Sequence, residues 1–139
     1  MKIAVLGTGG VGGYFGGRLA LAGHDVAIVA RGPHLAAIRE RGLRVSSVGG
    51  DFTTGVPASD DPAEFGPCDV VLFCVKSYDT EAAAASLGPL LGADTAVVSL
   101  QNGIDNEEKI AATVGPGRVV GGAAFIFSTI AEPRVVAHT

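Results

Sequence analysis

Tryptophan is absent, cysteine occurs only twice, and Lys plus Arg number 10 against 14 Asp plus Glu. Each shortage excludes something. A net charge of −4 without a basic cluster argues against a nucleic-acid partner or an anionic membrane surface. No apolar run approaches the ~18 residues that span a bilayer, because Gly, Arg18, His24 and Asp25 interrupt them. The N-terminus does not read as a signal peptide, since a glycine-rich stretch cuts its apolar run short. A predicted strand over Asp69–Val75 carries Cys74 ~20 Å along from Cys68, too far for a disulfide. Neither shares metal-ligand spacing with His24, His34 or His138. Two small buried thiols in a reducing cytoplasm is the expectation.

Glycine, in contrast, is plentiful: 21 in 139 residues, about twice the usual ~7%. The densest cluster, Gly7-Thr8-Gly9-Gly10-Val11-Gly12, follows the apolar run Lys2-Ile3-Ala4-Val5-Leu6. It leads into Val11–Ala22, where Val11, Phe15 and Leu19 recur at helical spacing. Gly-x-Gly-x-x-Gly between a strand and a helix is the fingerprint of dinucleotide binding. Bare main chain lets a pyrophosphate approach, and the helix N-terminus offers it free N–H groups. Gly12, Gly13, Gly16 and Gly17 within that helix together forfeit roughly 2–4 kcal/mol relative to alanine. Close approach of helix to sheet, and of cofactor to helix, are the two needs that would offset this.

Farther along, strand-length apolar runs alternate with helical patterns, as in a doubly wound, mainly parallel α/β sheet with helices on both faces. Strands are predicted at Asp25–Ala30, Asp69–Val75 and Thr95–Leu100, and helices at His34–Arg41 and Thr80–Leu91. Leu43–Val48 and Phe52–Val56 read as a hairpin, Ser59–Pro67 as a polar loop with solvated acids. Asp105 and Glu108 have the form of a capping box for a helix running to about Val114. Val119–Ser128 is strand-like, and Arg134–His138 could pair with it. No repeat, low-complexity tract or linker divides the chain, so residues 1–139 are expected to form one domain. The chain stops at Thr139 just inside a strand, which reads as a fragment of a larger protein.

Arg31 stands at the end of the second predicted strand, where NAD-binding sheets usually place an acid for the ribose 2′-hydroxyl. A guanidinium would instead grip a 2′-phosphate in two-pronged fashion, which favours NADP(H); an ordinary solvated Arg is the alternative. Lys76 follows the predicted strand Asp69–Val75 and Asn102 comes just after Thr95–Leu100, so both are expected to project toward the ligand crevice of such a sheet. A fixed cation can stabilise charge developing on a substrate oxygen, and an amide can hold ribose or carboxylate oxygens. Equally, Lys76 could be the first exposed residue after a buried run and Asn102-Gly103 a turn.

His24 reads as a turn residue, His34 as an exposed helix-start residue, and His138 has no acid or nucleophile paired with it. Ser46-Ser47 and Ser128-Thr129 have no visible base, so hydrolase chemistry is not expected. Tyr14 and Phe15 are expected to pack the first helix, with Tyr14 near enough to the loop to face a cofactor.

The glycine loop, Arg31-Gly32, Val75-Lys76-Ser77-Tyr78-Asp79-Thr80 and Leu100-Gln101-Asn102-Gly103 resemble the N-terminal domain of the ketopantoate reductase (2-dehydropantoate 2-reductase) family. Val119-Val120-Gly121-Gly122 and Pro133–Thr139 fit the same pattern. The resemblance implies NADPH-dependent reduction of 2-dehydropantoate to pantoate, on the route to pantothenate and coenzyme A. It implies cofactor binding by Gly7, Thr8, Gly9, Gly10, Val11, Gly12, Arg31, Lys76, Asn102 and, by looser alignment, Ser128. Lys76 and Asn102 would line the reacting end in supporting roles. The family's general-acid lysine belongs to a helical C-terminal domain, so this chain alone is expected to be inactive, with that domain and a 2-oxo acid as its partners and a homo-oligomer conceivable. Rival readings are a reductase of another 2-oxo acid and a non-catalytic NADP-binding or sensing module.

Overall fold

Lys2–Leu6 forms the first strand (β1), and its alternation decides the architecture. Ile3 and Val5 turn to one apolar layer while Ala4 and Leu6 turn to the other. A strand buried on both faces needs helices on both sides. The computed structural model describes residues 1–76, 79–101 and 105–139. Around β1 it builds an all-parallel six-stranded sheet from Asp25–Val29 (β2), Ala58–Ser59 (β5), Cys68–Phe73 (β6), Leu91–Ser99 (β7) and Val119–Gly121 (β8), in the order β5-β2-β1-β6-β7-β8. The chain winds outward from β1 to one edge, returns, and winds to the other from β6. The reversal therefore lies between β1 and β6, where such sheets open a ligand crevice at the carboxyl ends of their strands.

The first helix, Gly10–Leu21 (α1), is pressed from two sides, which explains its glycines. A β-carbon on Gly16 would meet Val5 of the parallel sheet at 3.0 Å. One on Gly13 would meet Val136 at 2.6 Å, and one on Gly17 would meet Val45 at 3.0 Å. Val45 and Val136 belong to a second sheet made from Leu43–Ser47 (β3), Phe52–Thr54 (β4), Ser128–Glu132 (β9) and Val135–His138 (β10). Its order is β4-β3-β10-β9, with β3 and β10 parallel and both outer pairs antiparallel. Of the two needs inferred from the sequence, close packing of helix on sheet accounts for all three of these positions.

The remaining helices are Gly32–Arg41 (α2), Thr80–Ala85 (α3) and Asn106–Val114 (α4). Leu35, Ala37 and Ile38 seat α2, and Gly42 ends it at φ +82°. Among the described residues, no helix is long and apolar enough to cross a membrane.

Several sequence expectations need correction. The helix predicted over Thr80–Leu91 ends at Ala85, and a 3-10 turn covers Gly88–Leu90. Pro89 lacks the N–H that a continuing α-helix needs and is tolerated only at the start of the short 3-10 turn. β8 stops at Gly121 rather than reaching Ser128; a β-carbon on Gly121 would meet Glu107 at 2.9 Å and one on Gly122 would meet Leu100 at 2.8 Å, so the paired glycines mark a close approach at the strand's end. Gly122 still donates to the Ser99 carbonyl at 2.8 Å, and residues 123–127 then leave the sheet edge with Phe125 94% and Phe127 83% exposed. The loop predicted from Ser59 begins inside β5, where the Ser59 carbonyl accepts the Ala30 N–H at 3.0 Å. Asp105 stands at the start of α4 without a side-chain capping bond, and its carboxylate instead lies 3.4 Å from the Lys109 ammonium.

Candidate functional site

The turn from β1 into α1 is built around Gly7, whose φ of +89° is a left-handed conformation that side chains disfavour. A β-carbon there would also strike the Val75 nitrogen at 2.7 Å. Thr8 is buried and donates its hydroxyl to the Val29 carbonyl at 2.9 Å, tying the loop to the tip of β2. Gly9 precedes α1 without a side-chain cap, and no atom lies within 4 Å of where its β-carbon would be. That vacancy opens on a cavity of about 610 Å³. Gly10 differs: its β-carbon position is filled by the Ser128 main chain, and the Ser128 hydroxyl donates to the Gly10 carbonyl at 2.8 Å. Gly12 lies against the Gly7 carbonyl and Cys74, which lets helix and strand meet closely.

The cavity runs from this loop past the carboxyl ends of β1, β2 and β6. Arg31 and Lys76, singled out by the sequence, both line it. Arg31 is 86% exposed, with its guanidinium 3.7 Å from the Asp79 carboxylate. Lys76 is exposed at the end of β6. The turn that carries it is closed by the Asp79 N–H donating to the Lys76 carbonyl at 2.8 Å. Gln101, two residues past the end of β7, then fastens this turn, donating to the Val75 carbonyl and to the Thr80 hydroxyl, each at 2.9 Å. Asn102, with Ser77, Tyr78 and Gly103, lies outside the described residues.

Three cleft residues escaped the sequence reading. His34, expected to be exposed, is half-buried, and its Nδ1 accepts the Arg134 N–H at 2.9 Å. Its Nε2 is buried without a hydrogen-bond partner. Burial lowers the imidazole pKa, and the Thr8 main chain raises it by less. Cys74 is a free thiol, as expected, but it lines the cavity, and burial pushes its pKa up to about 12. Asp79 carried no signal in the sequence beyond its place before a helix.

His138 is also corrected. Its Nδ1 lies 2.8 Å from the Ser47 hydroxyl, and the Tyr14 ring stacks on it at 4.2 Å. Tyr14 thus packs α1 against the second sheet. Asp51 does not complete a catalytic triad there, because it accepts the Ser47 N–H and pairs with Arg44. A second cavity of about 460 Å³ sits at the amino end of β8. Its guanidinium, Arg118, is already donated to the Gly92 and Thr95 carbonyls.

A glycine turn at a strand-order reversal, open toward a cleft with two cations on its rim, fits a dinucleotide. Comparison with known proteins agrees. The sequence model described as ketopantoate reductase PanE/ApbA matches residues 3–139. The 2-dehydropantoate 2-reductase of Pyrococcus horikoshii is 39% identical over 141 residues, covering 98% of this chain and 44% of the relative. The crystal structure of 2-dehydropantoate 2-reductase from Porphyromonas gingivalis superposes with a TM-score of 0.93 at 38% identity, covering 99% of this chain and 51% of that one. A ternary structure of D-mandelate dehydrogenase with NADH and anilino(oxo)acetate superposes with a TM-score of 0.92 at 26% identity, covering 100% and 46%. The chain spans about half the length of the relatives it matches. It belongs to the ketopantoate reductase (PanE/ApbA) family and corresponds to that family's N-terminal, Rossmann-type domain.

Proposed function

We propose that this chain binds NADPH and forms the cofactor-binding half of an enzyme that reduces 2-dehydropantoate to pantoate. One observation carries the reading: the vacant β-carbon position of Gly9 and the Arg31 guanidinium open on the same cleft. Main-chain N–H groups of Gly9, Gly10, Val11 and Gly12, at the start of α1, would hold the pyrophosphate. The Thr8 bond to Val29 keeps that loop fixed relative to the tip of β2, beside Arg31. Arg31 would take the adenosine 2′-phosphate. When bound, the nicotinamide supplies the hydride for the substrate carbonyl carbon.

Lys76 would face the oxygen that gains negative charge, its turn pinned at both ends by Gln101. Asn102 would hold the nicotinamide end, as the family resemblance implies. Ser128 would act through its grip on Gly10. The proton for the product hydroxyl would come from the family's second domain, so the chain alone should bind cofactor without turnover.

Calorimetric titration with NADPH and with NADH tests the binding step. Arg31→Ala should weaken NADPH uptake far more than NADH uptake, and equal losses would remove the 2′-phosphate assignment. Absence of uptake of either dinucleotide by folded protein would overturn the reading. The likeness to an NADH-bound D-mandelate dehydrogenase favours a second reading, in which another 2-oxo acid is the substrate. Assaying the two-domain protein with 2-dehydropantoate against other 2-oxo acids separates them.

A further inference from the structure

The carboxylate of Asp79 has made an unusual choice. Asp79 occupies the position before α3, where an aspartate ordinarily accepts main-chain N–H bonds from the first helical turn. Its side chain makes no such bond. It reaches across the cleft mouth instead, to 3.7 Å from the Arg31 guanidinium, and remains 37% exposed. Its main chain is held: the Asp79 N–H is bonded to the Lys76 carbonyl, and the next residue, Thr80, is held by Gln101. The cleft therefore carries an acid and a base facing each other beside the tip of β2.

An acid at that tip would normally receive the ribose 2′-hydroxyl of an unphosphorylated dinucleotide. β2 ends without one: Ala30 and Arg31 follow Val29. Asp79 brings a carboxylate to the same place from the turn that follows β6, across β1 from β2. We propose that Asp79 is a specificity-determining residue of this cleft. Its carboxylate accepts from a 2′-hydroxyl and opposes a 2′-phosphate, so the Arg31–Asp79 pair balances NADH against NADPH. This rests on the dinucleotide reading above and goes beyond it, since it predicts appreciable binding of both forms. With the 2′-phosphate present, Arg31 must exchange its carboxylate partner for the phosphate, and Asp79 is left beside a dianion. With a 2′-hydroxyl, the ion pair stays intact and gains a charge-assisted hydrogen bond.

Calorimetry with NADPH and NADH on the wild-type chain, Asp79→Asn, Asp79→Glu and Asp60→Asn decides the matter. Asp60 is an exposed carboxylate at the rim of the same cavity and serves as the charge control. Asp79→Asn should tighten NADPH binding about two- to fivefold, the range of an exposed ion pair, and weaken NADH binding. Asp79→Glu, which keeps the charge, should retain most of the wild-type ratio. Asp60→Asn should leave that ratio within about twofold. An unchanged ratio in Asp79→Asn overturns the inference while leaving dinucleotide binding standing. An equal shift in Asp60→Asn also overturns it, because general cleft charge would then be responsible. A wild type that takes up neither dinucleotide overturns both.

Discussion

Ser128 donates its hydroxyl to the Gly10 carbonyl at 2.8 Å across 118 positions of sequence, and its own main chain fills the space a Gly10 side chain would need. Gly9, one residue earlier, has nothing within 4 Å of that space. Two neighbouring glycines of one motif thus stand in opposite surroundings, one open and one filled. Gly10→Ala should cost roughly 1–3 kcal/mol of stability by overpacking against β9. Gly9→Ala should leave stability within about 0.5 kcal/mol and instead lower dinucleotide affinity. Urea unfolding beside calorimetry checks both, and the assignment fails if the two variants behave alike.

His34 should make stability depend on mild acid. Its pKa in the folded chain lies below the ordinary 6.5, so the unfolded chain binds the proton more readily. Stability present above pH 6.5 should therefore be lost as pH falls through the folded-state value. His34→Gln, whose amide oxygen can still accept the Arg134 N–H, should flatten that acid limb in urea titrations at stepped pH. Identical limbs would show that other groups are responsible.

Cys74 should be chemically quiet despite lining the cleft. With its pKa pushed up to about 12, almost no thiolate exists near neutrality. Iodoacetamide at about pH 8 should modify it only after unfolding, as read by mass spectrometry. The same shift, upward from 9.0, predicts that stability declines as pH rises from about 9 toward 12. Cys74→Ala should soften that decline.

Phe125 and Phe127 expose most of their rings beside β9, whose Ile130 is also exposed. Adjacent apolar side chains of this size favour association. The chain should self-associate at high concentration, and the double substitution Phe125→Ser with Phe127→Ser should shift it toward monomer. Sedimentation equilibrium measures this, and a monomeric wild type would contradict it.

The first half of the parallel sheet was legible because its signals are local. β1 has the predicted bounds, since an apolar run ending in glycine fixes both ends. α4 ends at Val114 as read, because Gly115 takes a φ of +98°. The second sheet was only half legible. The β3–β4 hairpin was visible in its turn, but the parallel pairing of β3 with β10 joins Arg44 to Val135, and no local pattern encodes such a distant partner. Arg31 and Lys76 could be placed at the cleft because strand ends are readable. Asp79 could not, since its position before a helix reads as capping, and only the structure shows its carboxylate facing Arg31.

The tether between Ser128 and Gly10 also orders events in time. A ribosome adding about 5–20 residues per second needs roughly 6–24 s to cover the 118 positions between them. Throughout that interval the nascent glycine turn exists without its brace. Newly made chains should acquire their full nucleotide affinity late, once the distal ribbon has been delivered and has closed over the helix.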